Sequence, residues 1–101
     1  MEYELIWADP ATAQLEEIHD YIANDNPRAA DRVVAKIMAR IEQLRWTPRL
    51  GAVYRETGKY AIRKIVSGKY RIFYRIIEVG QRVEILLIWH SARRDPNFEK
   101  D

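Results

Sequence analysis

A chain of 101 residues is long enough for one compact domain with one hydrophobic core and too short for two, so a single domain over 1–101 with one main functional surface is expected. At 48% hydrophobic and 32% charged, with four glycines and four prolines, it has a globular composition, and the lack of cysteine excludes a disulfide framework and thiolate chemistry. The acidic start MEYELIW lacks the basic end of a signal peptide, and no apolar run nears the roughly 18 residues that span a bilayer, so a cytoplasmic protein without membrane contact is expected.

The net charge of +2 is small, but its distribution is not even: residues 1–44 carry −5 and residues 45–101 carry +7. Such asymmetry gives the molecule a basic side that can attract a phosphate backbone, an acidic protein or an acidic peptide; segregation for solubility alone is the less favoured alternative.

In chain order, Tyr3 to Trp7 reads as a short strand ending in ADP, where Asp9 can cap a helix and Pro10 can take its first position. Ala11, Leu15, Ile18 and Ile22 then recur at helical spacing and form one apolar face. NDNP, Asn24 to Pro27, ends this helix and starts another, with Asn26 as cap; Ala30, Val33 or Val34, Ile37, Ile41 and Leu44 continue the second stripe to about Trp46. The short link predicts an antiparallel helical hairpin. TPRLG, Thr47 to Gly51, breaks the pattern, and the region to Gly58 is the least regular.

From Tyr60 the period becomes two. Tyr60 to Val66, Tyr70 to Ile77 and Val83 to Trp89 read as three strands joined by tight turns at Ser67–Gly68 and near Gly80, hence an antiparallel meander. The central strand places Tyr70, Ile72, Tyr74 and Ile76 on one face and Arg71, Phe73, Arg75 and Ile77 on the other. One face should meet the helices and the other can be open, carrying arginines. Asn97 to Asp101 reads as a short tail. The expected fold is a two-layer α+β domain of order β-α-α-β-β-β, with the helical hairpin on a small antiparallel sheet.

Few chemical motifs are present. His19 and His90 lie in different elements, and there is no metal-ligand spacing, phosphate loop or nucleophile triad, so neither metal nor cofactor is expected. His19 reads as a surface residue. What remains is a basic set: Arg63, Arg71 and Arg75 on the meander, and His90, Arg93 and Arg94 at its end, with Arg55 and Lys59 at the rim. The guanidinium fork suits phosphate or carboxylate. His90 can be a proton-transfer group or a strand-ending residue bonded to the following loop. RNA cleavage calls for both a base and an acid, and the sequence offers one good candidate, which favours the structural or partner-binding reading.

These residues together resemble the RelE/ParE superfamily of toxins from bacterial type II toxin–antitoxin systems, also called plasmid stabilisation proteins. The likeness runs through ADPATAQLEEIHDYIANDNPRAADRVVAKI, LRWTPRLG from Leu44 to Gly51, KYRIFYRI and VEILLIWHSARRDP. It implies a toxin neutralised by a cognate antitoxin whose C-terminal segment wraps it, with operator DNA bound only through the antitoxin. The superfamily divides on target. The IANDNP link and the HSARRDP ending, with His90 and Arg93 in an HxxR pattern, look like the ParE branch, which inhibits DNA gyrase. The alternative is the RelE branch, which cuts messenger RNA on the ribosome: Arg71 matches its phosphate-binding arginine, and His90 would then transfer the proton, assisted by Arg93 or Arg63. No tyrosine follows the last strand, only Phe98, which cannot donate a proton.

Overall fold

The computed structural model describes residues 2–98. Strand β1, Glu4–Trp7, leads into helix α1, Asp9–Ala23, which begins one residue before the position expected. Ala8, extended at φ −69° and ψ 148°, is the capping residue and supplies no side-chain bond; Asp9 and Pro10 are already helical. The Ala8 amide is tied to the Ile85 carbonyl (2.9 Å), while its own carbonyl accepts from Ala11 and Thr12, so the backbone itself fixes the helix start. Asp9 still places a negative charge against the positive end of the helix dipole. Helix α2, Pro27–Glu42, starts as expected, with the Asn26 side chain accepting from the Ala29 amide at 3.1 Å and Pro27 at the first position. Two short 3-10 turns, Gln43–Arg45 and Pro48–Leu50, follow.

The remaining elements are β2 (Ala52–Glu56), β3 (Ala61–Ser67), β4 (Tyr70–Ile77) and β5 (Arg82–His90), in a sheet ordered β1-β5-β4-β3-β2. The two-layer α+β architecture stands, with two refinements. The sheet is mixed, because β1 runs parallel to β5. A fifth strand, β2, lies in the stretch that reads as irregular; its register shifts between Val53 and Arg55, which breaks the alternation by which a strand is recognised. The two hairpin turns use left-handed backbone at Gly68 (φ 57°) and at Gly80 and Gln81 (φ 82° and 52°).

The core lies between the hairpin and one sheet face. Ile37, Ile41 and Leu44 meet Ile65, Ile72, Tyr74, Val83, Ile85 and Ile88, all at most 3% exposed. Full burial of each such side chain contributes on the order of 1.5–3 kcal/mol. A bulge in β5 makes this possible: Phe73 pairs with Leu87 and Tyr74 with Ile85, leaving Leu86 as an extra residue. Without it, simple alternation from Val83 would turn Ile88 and His90 away from the helices and Trp89 towards them.

The opposite face does not stand open. Phe73 and Ile62 are fully buried there, and the segment following β5 folds across it. Phe98 packs edge-on against Phe73 and Tyr54 (5.3 and 6.3 Å between centroids), Pro96 is buried, and the Trp89 indole donates to the Arg94 carbonyl at 2.8 Å. The tail expected over 97–101 thus packs on the sheet as far as Phe98; residues 99–101 lie outside those described.

Candidate partner-binding groove

Strand β1 is only four residues long and pairs with β5 over Arg82 to Ile85, so the rest of that edge of β5 has no neighbouring strand. Helix α1 fills the space in part: the Gln14 side chain accepts the Ile88 amide at 2.8 Å, satisfying a donor that a strand would otherwise take. Beyond Gln14 the hairpin and the sheet diverge into a groove of about 570 Å³. Its floor is apolar, formed by Ile18, Ile22, Val33 and Ile88; its rim carries Lys36, Lys69, His90 and Arg93, with Glu17 as the acidic exception. Tyr21, 84% exposed, stands at the rim of the same groove.

His90 faces Tyr70 across the strand pair, the rings perpendicular at 5.2 Å. Its Nδ1 accepts the Ala92 amide at 2.9 Å. A backbone N–H can only donate, so Nδ1 is unprotonated and the ring hydrogen sits on Nε2. The structural role read from the sequence is therefore present: His90 fixes the turn after β5, assisted by the Arg93 amide donating to the His90 carbonyl (3.0 Å). Arg93 stacks its guanidinium over Trp89 at 3.9 Å while lining the groove, and Arg94 is exposed beside it.

The arginines of the meander do not form one patch. Arg63, whose strand partner is Tyr74, is on the helical side and donates to the Gly51 carbonyl at 2.6 Å, pinning the loop before β2. Arg71 and Arg75 are on the outer face, each in an ion pair. Arg71 Nη1 meets Asp95 at 2.9 Å, with the Arg71 side chain only 13% exposed. Arg75 Nε meets Glu84 at 2.7 Å and stacks over Tyr60 at 4.5 Å. Arg55 lies on β2 and Lys59 in the turn after it, both exposed. The two residues that RNA cleavage would bring to one phosphate, Arg71 and His90, thus sit on opposite faces of the sheet.

Two features escaped sequence reasoning. Tyr21 and Lys36 reach the groove from the helices, signalled only by an exposed aromatic residue and a cation at the edge of apolar stripes. His19 links the two helices: its Nε2 lies 3.0 Å from Asp31, and this hydrogen bond raises its pKa above the ordinary histidine value, with Asp20 adding to the effect against desolvation. Among the described residues no group of three or more His, Cys, Asp or Glu is placed to hold a metal ion, and no helix is long and apolar enough to cross a membrane.

A helical hairpin on a mixed sheet with β1 parallel to the last strand is the RelE/ParE fold. Solved structures share it: a chain of the chromosomal ParDE system from P. aeruginosa (TM-score 0.71, 23% identity, 88% of this chain and 96% of that one) and one of the archaeal RelE–RelB complex from Pyrococcus horikoshii OT3 (TM-score 0.68, 16% identity, 93% and 100%). In sequence, the chain is 36% identical over 92 residues to the toxin-like protein Y4kP of Sinorhizobium fredii, covering 89% of this chain and 90% of that protein. The family described as the ParE toxin of the type II toxin–antitoxin system parDE matches residues 5–95, and the chain belongs to it.

Proposed function

We propose that the protein is the growth-inhibiting toxin of its module, that it acts by poisoning DNA gyrase, and that a cognate antitoxin neutralises it by laying its C-terminal segment along the groove. The observation that carries the gyrase reading is the separation of Arg71 from His90. Transesterification of RNA needs a cation on the phosphate and proton transfer at its flanking oxygens. Here the cation is paired to Asp95 on one face, and the imidazole lies on the other, with its Nδ1 occupied.

The antitoxin assignment is supported by the groove's chemistry. An apolar floor under a rim of Lys36, Lys69, Arg93 and His90 suits an amphipathic segment with acidic flanks, and ordering a disordered chain there couples folding to binding. The P. aeruginosa and P. horikoshii relatives are described as a ParDE system and a RelE–RelB complex. Operator DNA would then be reached only through the antitoxin.

The test is brief expression without antitoxin, followed by mapping of messenger RNA 5′ ends and a gyrase supercoiling assay on the purified protein. Blocked supercoiling with intact messages is expected, and His90→Gln should remain toxic. New cuts within translated codons that disappear in Arg71→Ala would refute the gyrase reading and establish ribosome-dependent RNA cleavage.

A further inference from the structure

The segment after β5 crosses the outer sheet face and is held there at several points. The Asp95 carboxylate meets Arg71, Phe98 rests on Phe73 and Tyr54, and the Arg94 carbonyl accepts the Trp89 indole. An extended chain anchored by one carboxylate, a buried proline and one aromatic ring is bound as a peptide ligand is bound: charge fixes the register and the ring fills an aromatic seat.

The face offers more than the segment uses. Arg71 Nη1 contacts one Asp95 oxygen, whereas Arg71 Nε is buried with no hydrogen-bond partner among the described residues. Nε–H points away from Nη1, so the fork that a carboxylate at Nη1 can use is the Nη1–Nη2 pair, of which Asp95 engages one nitrogen. Tyr54 and Lys64 bear on the same carboxylate: after the Arg71 hydrogen bond, they too help to hold the Asp95 carboxyl below its ordinary pKa. The tether is also exchangeable. The Asp95 side chain is 68% exposed over an Arg71 that is 13% exposed, so an incoming carboxylate can reach the guanidinium from the solvent side that Asp95 occupies.

We infer that this outer face is a peptide-binding site, filled in the free protein by its own residues 94–98, whose external ligand is a partner-protein segment with an acidic residue three positions before an aromatic one. Such a segment would displace the tail, place its carboxylate across Arg71 Nη1 and Nη2 and seat its ring against Phe73 and Tyr54. The site is separate from the helical-side groove and does not depend on the identity of the toxin's target.

The experiment uses the full chain carrying Asp95→Asn and Phe98→Ala, with the fluorescein-labelled peptide RRDPNF, a copy of residues 93–98, as probe. A tethered tail competes at an effective concentration on the order of millimolar, so the double variant should bind the probe at least about ten-fold more tightly than wild type. Peptides RRNPNF and RRDPNA, and the variant further changed at Arg71→Gln, should each bind several-fold more weakly. Equal binding to wild type and double variant, or indifference to loss of the peptide's acid or ring, overturns the inference. Arg71-dependent binding of a single-stranded oligonucleotide without peptide binding overturns it in favour of a nucleic-acid surface.

The Trp89 indole N–H gives a second readout in the milder Asp95→Asn variant. Its NMR resonance should shift as the Arg94 carbonyl leaves, and should return when RRDPNF is added. A resonance unmoved in both Asp95→Asn and the double variant means that the tail is not displaceable, and refutes the inference.

Discussion

Replacing Tyr74 by Phe isolates one buried hydroxyl that holds an irregular loop to the sheet. Tyr74 is fully buried; its hydroxyl donates to the Pro48 carbonyl at 2.6 Å and accepts the Gly51 amide at 2.9 Å. Burial, the leading cause, raises its pKa, so the group is a neutral phenol throughout the physiological range. Phenylalanine keeps the ring packing and removes both bonds. Each partner left unsatisfied costs on the order of 1–3 kcal/mol, with the buried Gly51 amide near the middle of that range and the half-buried Pro48 carbonyl near its lower end, for a total of about 3 kcal/mol. For a domain of this size each kcal/mol lowers the melting temperature by roughly 4–8 °C, so a fall of about 12–24 °C is expected. Urea unfolding followed by tryptophan fluorescence measures the loss, and hydrogen exchange should show the Gly51 amide losing protection most. A loss under about 0.5 kcal/mol, within the range of an ordinary surface change, would refute the claim that this hydroxyl anchors the loop.

Two further outcomes test other parts of the structure. In Gly51→Ala the new Cβ would collide with the Lys64 carbonyl oxygen and lie 2.9 Å from Ile65 Cγ2, so β2 must move off β3; a destabilisation of about 1–3 kcal/mol is expected, and unchanged thermal stability would contradict the close approach. His19, with its folded-state pKa raised by Asp31, binds its proton more tightly when folded. Its contribution is fully present below the unfolded value of about 6.5 and is lost as pH rises through the folded value, so wild-type stability should decline from slightly acid to slightly alkaline pH by a component that His19→Asn abolishes in urea titrations at matched pH. An unaltered pH profile in that variant would remove His19 from the account.

Most of the fold was legible because it rests on periodicity. Both apolar helix stripes, the NDNP junction and the three long strands carry regular spacing over many residues. β2 and the β5 bulge were not legible, for a common reason: each inserts one residue into a period of two. Tyr54 interrupts β2, and Leu86 hides the fact that Val83, Ile85, Ile88 and His90 share a face. The candidate site suffered from the same slip. Arg63, Arg71, Arg75 and His90 are close in the strand order, but their faces depend on local register, and their charge depends on Asp95 and Glu84, acids that composition counts but cannot pair. His19 illustrates the limit from the other side, since its partner Asp31 lies on the next helix, twelve residues away.

The charge asymmetry acquires a different meaning once these pairings are known. Arg49 is paired with Glu78, Arg45 with Glu42, Arg71 with Asp95 and Arg75 with Glu84, so these four arginines are matched locally and add little to the field at a distance, although only Glu42 comes from outside the basic half. The basic groups at the groove rim, Lys36, Lys69 and Arg93, have no such ion pair among the described residues, and they stand above an apolar floor. On the proposed reading, these charges would attract an acidic, amphipathic segment to the groove. Affinity for a disordered acidic partner should therefore fall steeply with salt and with loss of Lys36 or Arg93, and should respond far less to loss of Arg75, whose charge Glu84 already answers.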